Sequence, residues 1–451
     1  MLGEHQIIYR FLRVILPSVS VLMAFFEHSG AASAAFSVPL QIIVLILALW
    51  MIYSMGRLNP AFILTSVYQI YAFIGLMVSA IFISAGSYMI EIDSFGTPNS
   101  VFWVCSLFLF VGLEAAYFGY RASGSLQRFA ETRPKLHHQT SKALIGSICI
   151  LIISSGCALL LIYKGPVLSD MTRVAFWQNF MPPILSKYPS ILGQSFIFLA
   201  LLYFMAKAKR QRLFIYRLAI IIYALLTIFL SGEKFSTFVI LFVIWCCIAA
   251  GFGVRIRLSF RSVFILFSFL LALITLIVTS YVYDGRSASF IFDRIALQAE
   301  LVWSVMNEPV ETVLTGMERF CFAGCVGFEN GTDFISARYM RSGLYDVYLE
   351  TGSGLTGFLP SLPILSFGIF LSLWLHAFVS IILGCIQRIL VGSVVSLNVI
   401  STFLIFKVYF GVTVFWYAAK VYAVPGILLS ALVIGLFWCL PTTQPRRLRE
   451  V

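Results

Sequence analysis

The sequence has little charge and few residues that bind metals. Charged side chains make up 11% of the 451 residues, 60% of the residues are hydrophobic, and the mean hydropathy is +0.96. A soluble domain usually has about a quarter of its residues charged, so this composition excludes a soluble protein. Most of the nine cysteines lie within or next to apolar runs, where Cys behaves as a small hydrophobic residue.

Long apolar runs bounded by charged or turn residues dominate the sequence instead. A helix needs about 20 residues to cross about 30 Å of hydrocarbon, and runs of this kind predict twelve membrane spans. These are 11–29, 36–55, 61–85, 99–119, 143–163, 189–206, 213–231, 235–254, 262–281, 358–384, 389–412 and 421–440. We therefore predict an all-α polytopic membrane protein with a single integral membrane domain over residues 1–451. The first span contains Pro17 and ends at Glu27 and His28.

The net charge of +12 is explained by membrane topology. If both termini face the cytoplasm, most of the 31 basic residues fall in inner segments, with Arg388 in the short loop between the tenth and eleventh spans. Only Glu4, Glu131 and Glu450 of the 19 acidic residues fall there. Because Lys and Arg concentrate in cytoplasmic loops, we predict an N-in, C-in topology and no nucleic-acid partner. Neither nucleotide-binding glycine pattern occurs, which argues against an ATP-driven pump.

Two outer segments are longer than the other connections, 164–188 and 282–357, and we assign both as periplasmic loops. Loops of this length are usually functional when they are not disordered. Within the second, residues 290–306 are predicted to form one amphipathic helix, with Asp293 and Glu300 opposite its apolar face and Arg294 beside it. Recurrent Gly and Pro in 344–368 indicate an irregular entry into the tenth span.

Fixed cations are the main chemical feature of the outer side. A zinc site needs three or four convergent ligands, and His28 is the only histidine near the outer face, so we expect no metal and no cofactor. The arginine fork matches phosphate oxygens and keeps its charge, which suits an anionic substrate such as a lipid diphosphate. The alternative is that these cations only flank spans or solvate loops. The candidate diphosphate-binding residues are Arg173, Lys234, Arg286, Arg294, Arg338 and Arg341.

Lys234 is the most informative of these cations. It lies in SGEKF, between two spans separated by only a few residues. A charged side chain held at the membrane interface costs free energy and usually has a functional role. We therefore expect Arg173, Lys234 and Arg294 to converge on one outer cavity.

Four features resemble the Wzy family of bacterial oligosaccharide repeat-unit polymerases, which build O-antigen and related polysaccharides. KGPVLSDMTR at 164–173 is similar to the family's Gly-Pro-Leu-Leu segment followed by Arg. LSGEKFSTFVILFVI at 230–244 is similar to its Gly-x-Arg/Lys span start, and TGFLPSLPILSFG at 356–368 to its Thr-Gly-x-x-Pro…Phe-Gly segment. The fourth is the long outer loop before the last spans. Many relatives carry Arg where this chain has Lys234, and Lys cannot form the bidentate fork.

The resemblance implies a C-type glycosyltransferase-like helical bundle in the bacterial inner membrane, with its active site facing the periplasm. Its substrates would be oligosaccharide units on undecaprenyl diphosphate, and a Wzz-type chain-length regulator would be a partner. Fixed cations would stabilise the diphosphate leaving group. A carboxylate could deprotonate the acceptor hydroxyl, and the candidates are Asp170, Asp346 and Glu350, each of which could instead be a solvated loop acid.

Two other functions share this layout. A lipid-linked oligosaccharide flippase or another transporter is also polytopic and basic, but we find no internal repeat. Charge inside the predicted spans is essentially limited to Glu114 and Lys407. An O-antigen ligase would use the same donor, although we would expect an outer-loop histidine in such an enzyme.

Overall fold

A computed structural model describes residues 2–30, 33–131, 138–169, 175–186, 188–209, 213–231, 236–254, 290–308, 331–351, 358–418 and 423–439, with the single residues 275, 279 and 318. The chain divides into two compact units. Unit 1 comprises Met1–Tyr117, Arg255–Ile381 and Thr413–Val421, and unit 2 comprises Phe118–Val254, Ile382–Val412 and Tyr422–Val451.

Helices make up almost all of the described structure, and one two-stranded hairpin accompanies them. In chain order the elements are α1 (Leu2–His28), α2 (Ala34–Leu58), α3 (Pro60–Thr65), α4 (Val67–Ser84), β1 (Tyr88–Met89), β2 (Ser94–Phe95), α5 (Val101–Ala122), α6 (Gly124–Glu131), α7 (His138–Tyr163), α8 (Gly165–Leu168), a π-helical segment (Ala175–Phe180), a 3-10 turn (Pro183–Leu185), α9 (Tyr188–Ala208), α10 (Phe214–Ser231), α11 (Ser236–Gly251), α12 (Phe290–Ala296), α13 (Glu300–Asn307), α14 (Gly331–Tyr339), α15 (Leu344–Thr351), α16 (Phe358–Val395), α17 (Val399–Ala418) and α18 (Ala423–Cys439).

Nine helices among the described residues are long and apolar enough to cross a membrane: α1, α2, α4, α5, α7, α9, α10, α16 and α17. The apolar parts of α11 and α18 are shorter, at Phe238–Gly251 and Ala423–Leu436. The predicted span 262–281 lies almost wholly outside the described residues. These findings confirm a polytopic α-helical membrane protein, while the number twelve and the N-in, C-in topology stay predictions.

Helix α16 corrects the predicted boundary between the tenth and eleventh spans. The helix continues through the expected loop at 385–388 and ends at Val395, so Arg388 lies inside it. The Arg388 guanidinium stacks 4.7 Å from the centre of the Tyr120 ring, an arrangement in which a cation is attracted to an aromatic face. At the other end the helix is interrupted by Gly368, whose φ of 73° favours glycine.

A buried histidine organises the interior of unit 1. His376 is fully buried, its Nδ1 accepts a hydrogen bond from Trp416 Nε1 at 2.9 Å, and its Nε2 lies 3.1 Å from the carbonyl oxygen of Phe108. Because Nδ1 accepts, Nε2 carries the proton and donates to that carbonyl. A Cβ at Gly112 would lie only 2.3 Å from Nε2, so glycine is what lets the ring approach α5.

Helix α9 lies at the centre of unit 2, in contact with α7, α10 and α11. Most of its side chains from Leu192 to Ala206 are buried, and the hydroxyl of Tyr223 on α10 donates to the carbonyl oxygen of Leu192. Trp177 Nε1 donates to Leu230 O at 2.8 Å, which fixes the π-helical segment against α10. These bonds hold irregular backbone against the helices of unit 2.

Candidate functional site

The connection between α4 and α5 in unit 1 forms the base of the candidate site. It is a short antiparallel hairpin in which Tyr88 pairs with Phe95 and Met89 with Ser94. Asp93, at the end of its turn, has a φ of 56°, a left-handed conformation that Asp tolerates better than most residues. The turn directs several backbone N–H groups of residues 90–92 to one side, where they can bind an acidic side chain.

Glu300, the first residue of α13, occupies this position. It is fully buried, and its two carboxylate oxygens accept hydrogen bonds from the backbone N–H of Ile90 at 3.1 Å and of Glu91 at 3.0 Å. Burial and the nearby Glu91 carboxylate raise the pKa of Glu300 to about 8, although the backbone N–H bonds act in the opposite direction. Desolvation therefore outweighs hydrogen bonding here, and Glu300 is largely protonated at neutral pH.

Further hydrogen bonds dock α12 and α13 onto the same connection. Ser79 Oγ on α4 donates to the carbonyl oxygen of Ala296 at 2.6 Å. Asn99 Nδ2 donates to the carbonyl oxygen of Trp303 and to Asn307 Oδ1, both at 3.0 Å. The Trp303 indole N–H donates to Thr97 O at 3.0 Å. The segment 290–308 is thus a fixed part of unit 1.

This docking corrects the predicted single helix over 290–306. Residues 297–299 form a turn that separates α12 from α13, which frees Glu300 to point into the hairpin. Glu300 was predicted only to lie opposite the apolar face of this helix, whereas it is buried and binds N–H groups of residues about 210 positions earlier in the chain. Periodicity within one segment contains no information about such partners.

Arg341 is attached to the hairpin by both its backbone and its side chain. Its N–H donates to Glu91 O at 3.0 Å, and one guanidinium nitrogen lies 3.2 Å from Asp93 Oδ2. The side chain is nevertheless 61% exposed. With five N–H donors on a rigid fork, Arg341 can keep its contact with Asp93 and still present donors to an anion in the surrounding solvent.

Arg338 forms a different kind of ion pair one turn earlier. Its Nε and Nη2 each lie 3.1 Å from one carboxylate oxygen of Glu308, and this bidentate pair raises the pKa of Arg338. The pair joins α14 to the end of α13. Arg338 is therefore engaged with a protein carboxylate, and its predicted contact with a diphosphate stays a prediction.

The other predicted residues are placed as follows. Arg294 is exposed on α12, which contacts α4 and β1, so α12 and the Arg341 loop both pack against this connection. Asp346 is exposed on α15, and Glu350 lies on the same helix with its side chain outside the described set. Lying outside the described residues are Asp170, Arg173, Lys234 and Arg286. Convergence of Arg173, Lys234 and Arg294 stays a prediction.

Comparisons of the chain with protein-family models, with curated proteins and with solved structures give no match. The chemistry of the site thus rests on the chain's own residues. Within the described ranges no group of three or more His, Cys, Asp or Glu side chains could hold a metal ion. The arrangement offers exposed guanidinium groups on a rigid base, which can bind and orient an anion.

Three residues of this assembly were not among the predicted site residues: Glu91, Asp93 and Glu300. Glu300 carried one usable signal, because it lies in the run LQAELVWSVM, where apolar residues on both sides make an exposed acid unusual. Asp93 and Glu91 carried none, since their roles depend on contacts between distant parts of the chain.

Proposed function

We propose that this protein polymerises oligosaccharide repeat units carried on undecaprenyl diphosphate, at the periplasmic face of the bacterial inner membrane. The observation that carries the proposal is Arg341, which is fixed at its backbone and at one guanidinium nitrogen while most of its side chain stays exposed. A preorganised cation at a membrane surface suits a substrate whose polar group is a lipid diphosphate.

In the proposed reaction the growing chain is transferred from its lipid carrier to a new lipid-linked unit. An acceptor hydroxyl attacks the anomeric carbon of the donor, the bond from that carbon to the diphosphate oxygen breaks, and the diphosphate leaves with the electron pair. Arg341 and Arg294 stabilise the charge that develops on the leaving group. Asp346, five residues after Arg341, is the described candidate for taking the hydroxyl proton, with Glu350 and Asp170 as further candidates.

Deletion of the gene tests the reaction class. The proposal expects lipopolysaccharide capped with a single repeat unit, because the first unit is still exported and ligated while polymerisation stops. Loss of even that first unit would contradict the proposal and favour a flippase or a ligase. A Wzz-type chain-length regulator is the expected partner in this process.

Complementation of the deletion with variants tests the role of Arg341. We expect Arg341→Gln to lower polymer synthesis by about ten- to a hundredfold, less than the usual effect of losing a fully buried transition-state donor, because the side chain is partly solvated. Arg341→Lys should restore part of the activity, since it keeps the charge and loses the fork. Arg128→Gln, which removes an exposed arginine on α6, is the matched control. Equal activity of Arg341→Gln and this control would refute the assigned role.

A further inference from the structure

A second polar cluster lies at one end of the helices of unit 1, separate from the Arg341 site. It consists of Glu27 at the end of α1, Ser37 and Gln41 near the start of α2, Ser84 at the end of α4 and Ser100 just before α5. All five residues are buried, with exposures between 0 and 5%. In the sequence, Glu27 marks only the end of the first predicted span.

Donors from two helix ends converge on the Glu27 carboxylate. The Ser37 hydroxyl donates to Oε1, Gln41 Nε2 lies 3.1 Å from the same oxygen, and the backbone N–H of Ser100 donates to Oε2 at 2.8 Å. These contacts bring neutral donors only. None of the ion pairs between described residues includes Glu27.

An ionised carboxylate in such a place lacks a balancing charge. Burial of an unpaired charge costs several kcal/mol even after the protein relaxes. The next residue on α1, His28, is exposed, and Arg57 lies at the opposite end of α2. The stretch Ser37–Gln41, Ser84 and Ser100 supply no titratable side chain. Among the described residues of the cluster, no positive charge balances Glu27.

The oxygens around the Gln41 amide indicate where a positive charge would bind. Its Nε2 lies 3.1 Å from Glu27 Oε1, 3.2 Å from Ser37 Oγ and 3.1 Å from Ser84 Oγ, so two amide hydrogens face three acceptors. Its Oε1 is buried and makes no hydrogen bond. Rotation of the amide by 180° exchanges oxygen and nitrogen with almost no change in shape, and it would place a fourth oxygen among the other three.

We propose that the cluster of Glu27, Ser37, Gln41 and Ser84 binds one monovalent cation, H⁺ or Na⁺, and thereby ties together the ends of α1, α2 and α4. The one carboxylate balances one positive charge, whereas a divalent ion usually takes more charged oxygen ligands. Oxygen ligands select a hard cation. A proton on Glu27 would donate to the turned Gln41 Oε1, and a sodium ion would be coordinated by the same oxygens.

The site is independent of the proposed polymerase activity, so thermal unfolding of the purified full-length protein in lipid nanodiscs can test it alone. Sodium chloride is compared with choline chloride at equal ionic strength, at pH 6 and at pH 9. We expect a bound ion at about ten times its Kd to raise the Tm by about 1–3 °C. A rise with Na⁺ at pH 9 identifies sodium, and a rise at pH 6 in choline alone identifies the proton.

Two variants separate this site from general salt and pH effects. Glu27→Gln should abolish the response to both cations, whereas Glu4→Gln, an acid-to-amide change near the other end of α1, should leave the response unchanged. If Glu27→Gln does not fold, Gln41→Leu keeps the carboxylate and should weaken ²²Na⁺ binding or the proton effect at least tenfold. Responses to sodium and pH that are the same in wild type, Gln41→Leu and Glu4→Gln would overturn the proposal.

Discussion

The buried carboxylate of Glu300 makes the docking of segment 290–308 dependent on pH. In solvent the ordinary pKa of this group is 4.5, and in the docked segment it is about 8. The docked state therefore holds the proton more tightly, and docking is strongest below pH 4.5, weakens as the pH rises toward 8, and changes little above that.

The size of the effect follows from the two pKa values. Between pH 5.5 and pH 8.5 the free energy of docking becomes less favourable by about 3 kcal/mol. Each pH unit between the two pKa values contributes about 1.4 kcal/mol. This corresponds to roughly a hundredfold change in the docking equilibrium. Glu300→Gln removes the ionisable group, so its docking should not depend on pH.

Glu300→Gln also costs one hydrogen bond, because the amide keeps only one acceptor for the two backbone N–H groups. Leaving a buried donor unsatisfied costs about 1–3 kcal/mol. At pH 5.5 the wild type should therefore dock at least as well as the variant. At pH 8.5 the order should reverse, since the wild type then holds a buried charge that the variant lacks.

Hydrogen–deuterium exchange of peptides covering 88–95 and 290–308, in nanodiscs and corrected for intrinsic exchange rates, measures this docking. We expect protection in the wild type to fall by up to a hundredfold from pH 5.5 to pH 8.5 and to stay constant in Glu300→Gln. Asp346→Asn, which changes an exposed acid of the same loop, should behave as the wild type does. Equal pH dependence in the wild type and Glu300→Gln would refute the reasoning.

Two further substitutions test the packing within each unit. His376→Leu leaves the Trp416 indole N–H and a backbone carbonyl without their partner. This should lower the free energy of unfolding by about 2–5 kcal/mol, measured as a lower Tm by tryptophan fluorescence. An unchanged Tm would contradict the assigned hydrogen bonds. Gly251→Ala places a Cβ 2.3 Å from a Val394 methyl carbon and should lower the free energy of unfolding by about 1–3 kcal/mol. The control Gly426→Ala places its Cβ where no atom lies within 4 Å, so it should leave that free energy unchanged. Adding Val394→Ala should rescue Gly251→Ala, and failure of that rescue would count against the close approach.

The membrane-spanning helices were predictable because the apolar composition of each helix identifies it without reference to the rest of the chain. A run such as Ala34–Leu58 is apolar over its whole length, and burial in lipid demands little more than that. The rule that charges mark loops worked less well, because Arg388 lies inside a helix and stacks on Tyr120. The guanidinium is attracted to an aromatic ring on another helix, and the local sequence around Arg388 does not reveal that neighbour.

The candidate site was predictable only in its residue types. The prediction that arginines of the long outer segment form the site stays a prediction, and the structure adds that Arg341 is exposed and paired with Asp93. Its partners Glu91 and Asp93 are about 250 positions away in the sequence. Glu300 was placed opposite the apolar face of a single predicted helix, whereas in the structure that helix ends at Ala296 and Glu300 binds a distant hairpin.

Gly368 and Arg388 together set the relation between α16 and the thickness of the bilayer. The helix after the interruption at Gly368 runs to Val395 and is about 40 Å long at 1.5 Å per residue, which exceeds a hydrocarbon layer of about 30 Å. Arg388 follows Gly368 by about 30 Å along the axis. In an upright helix the stretch from Gly368 to Arg388 is therefore about as long as the hydrocarbon is thick, and two further turns follow Arg388. The helix after Gly368 is thus longer than the hydrocarbon layer, and tilt or a local change in bilayer thickness is needed to accommodate this mismatch.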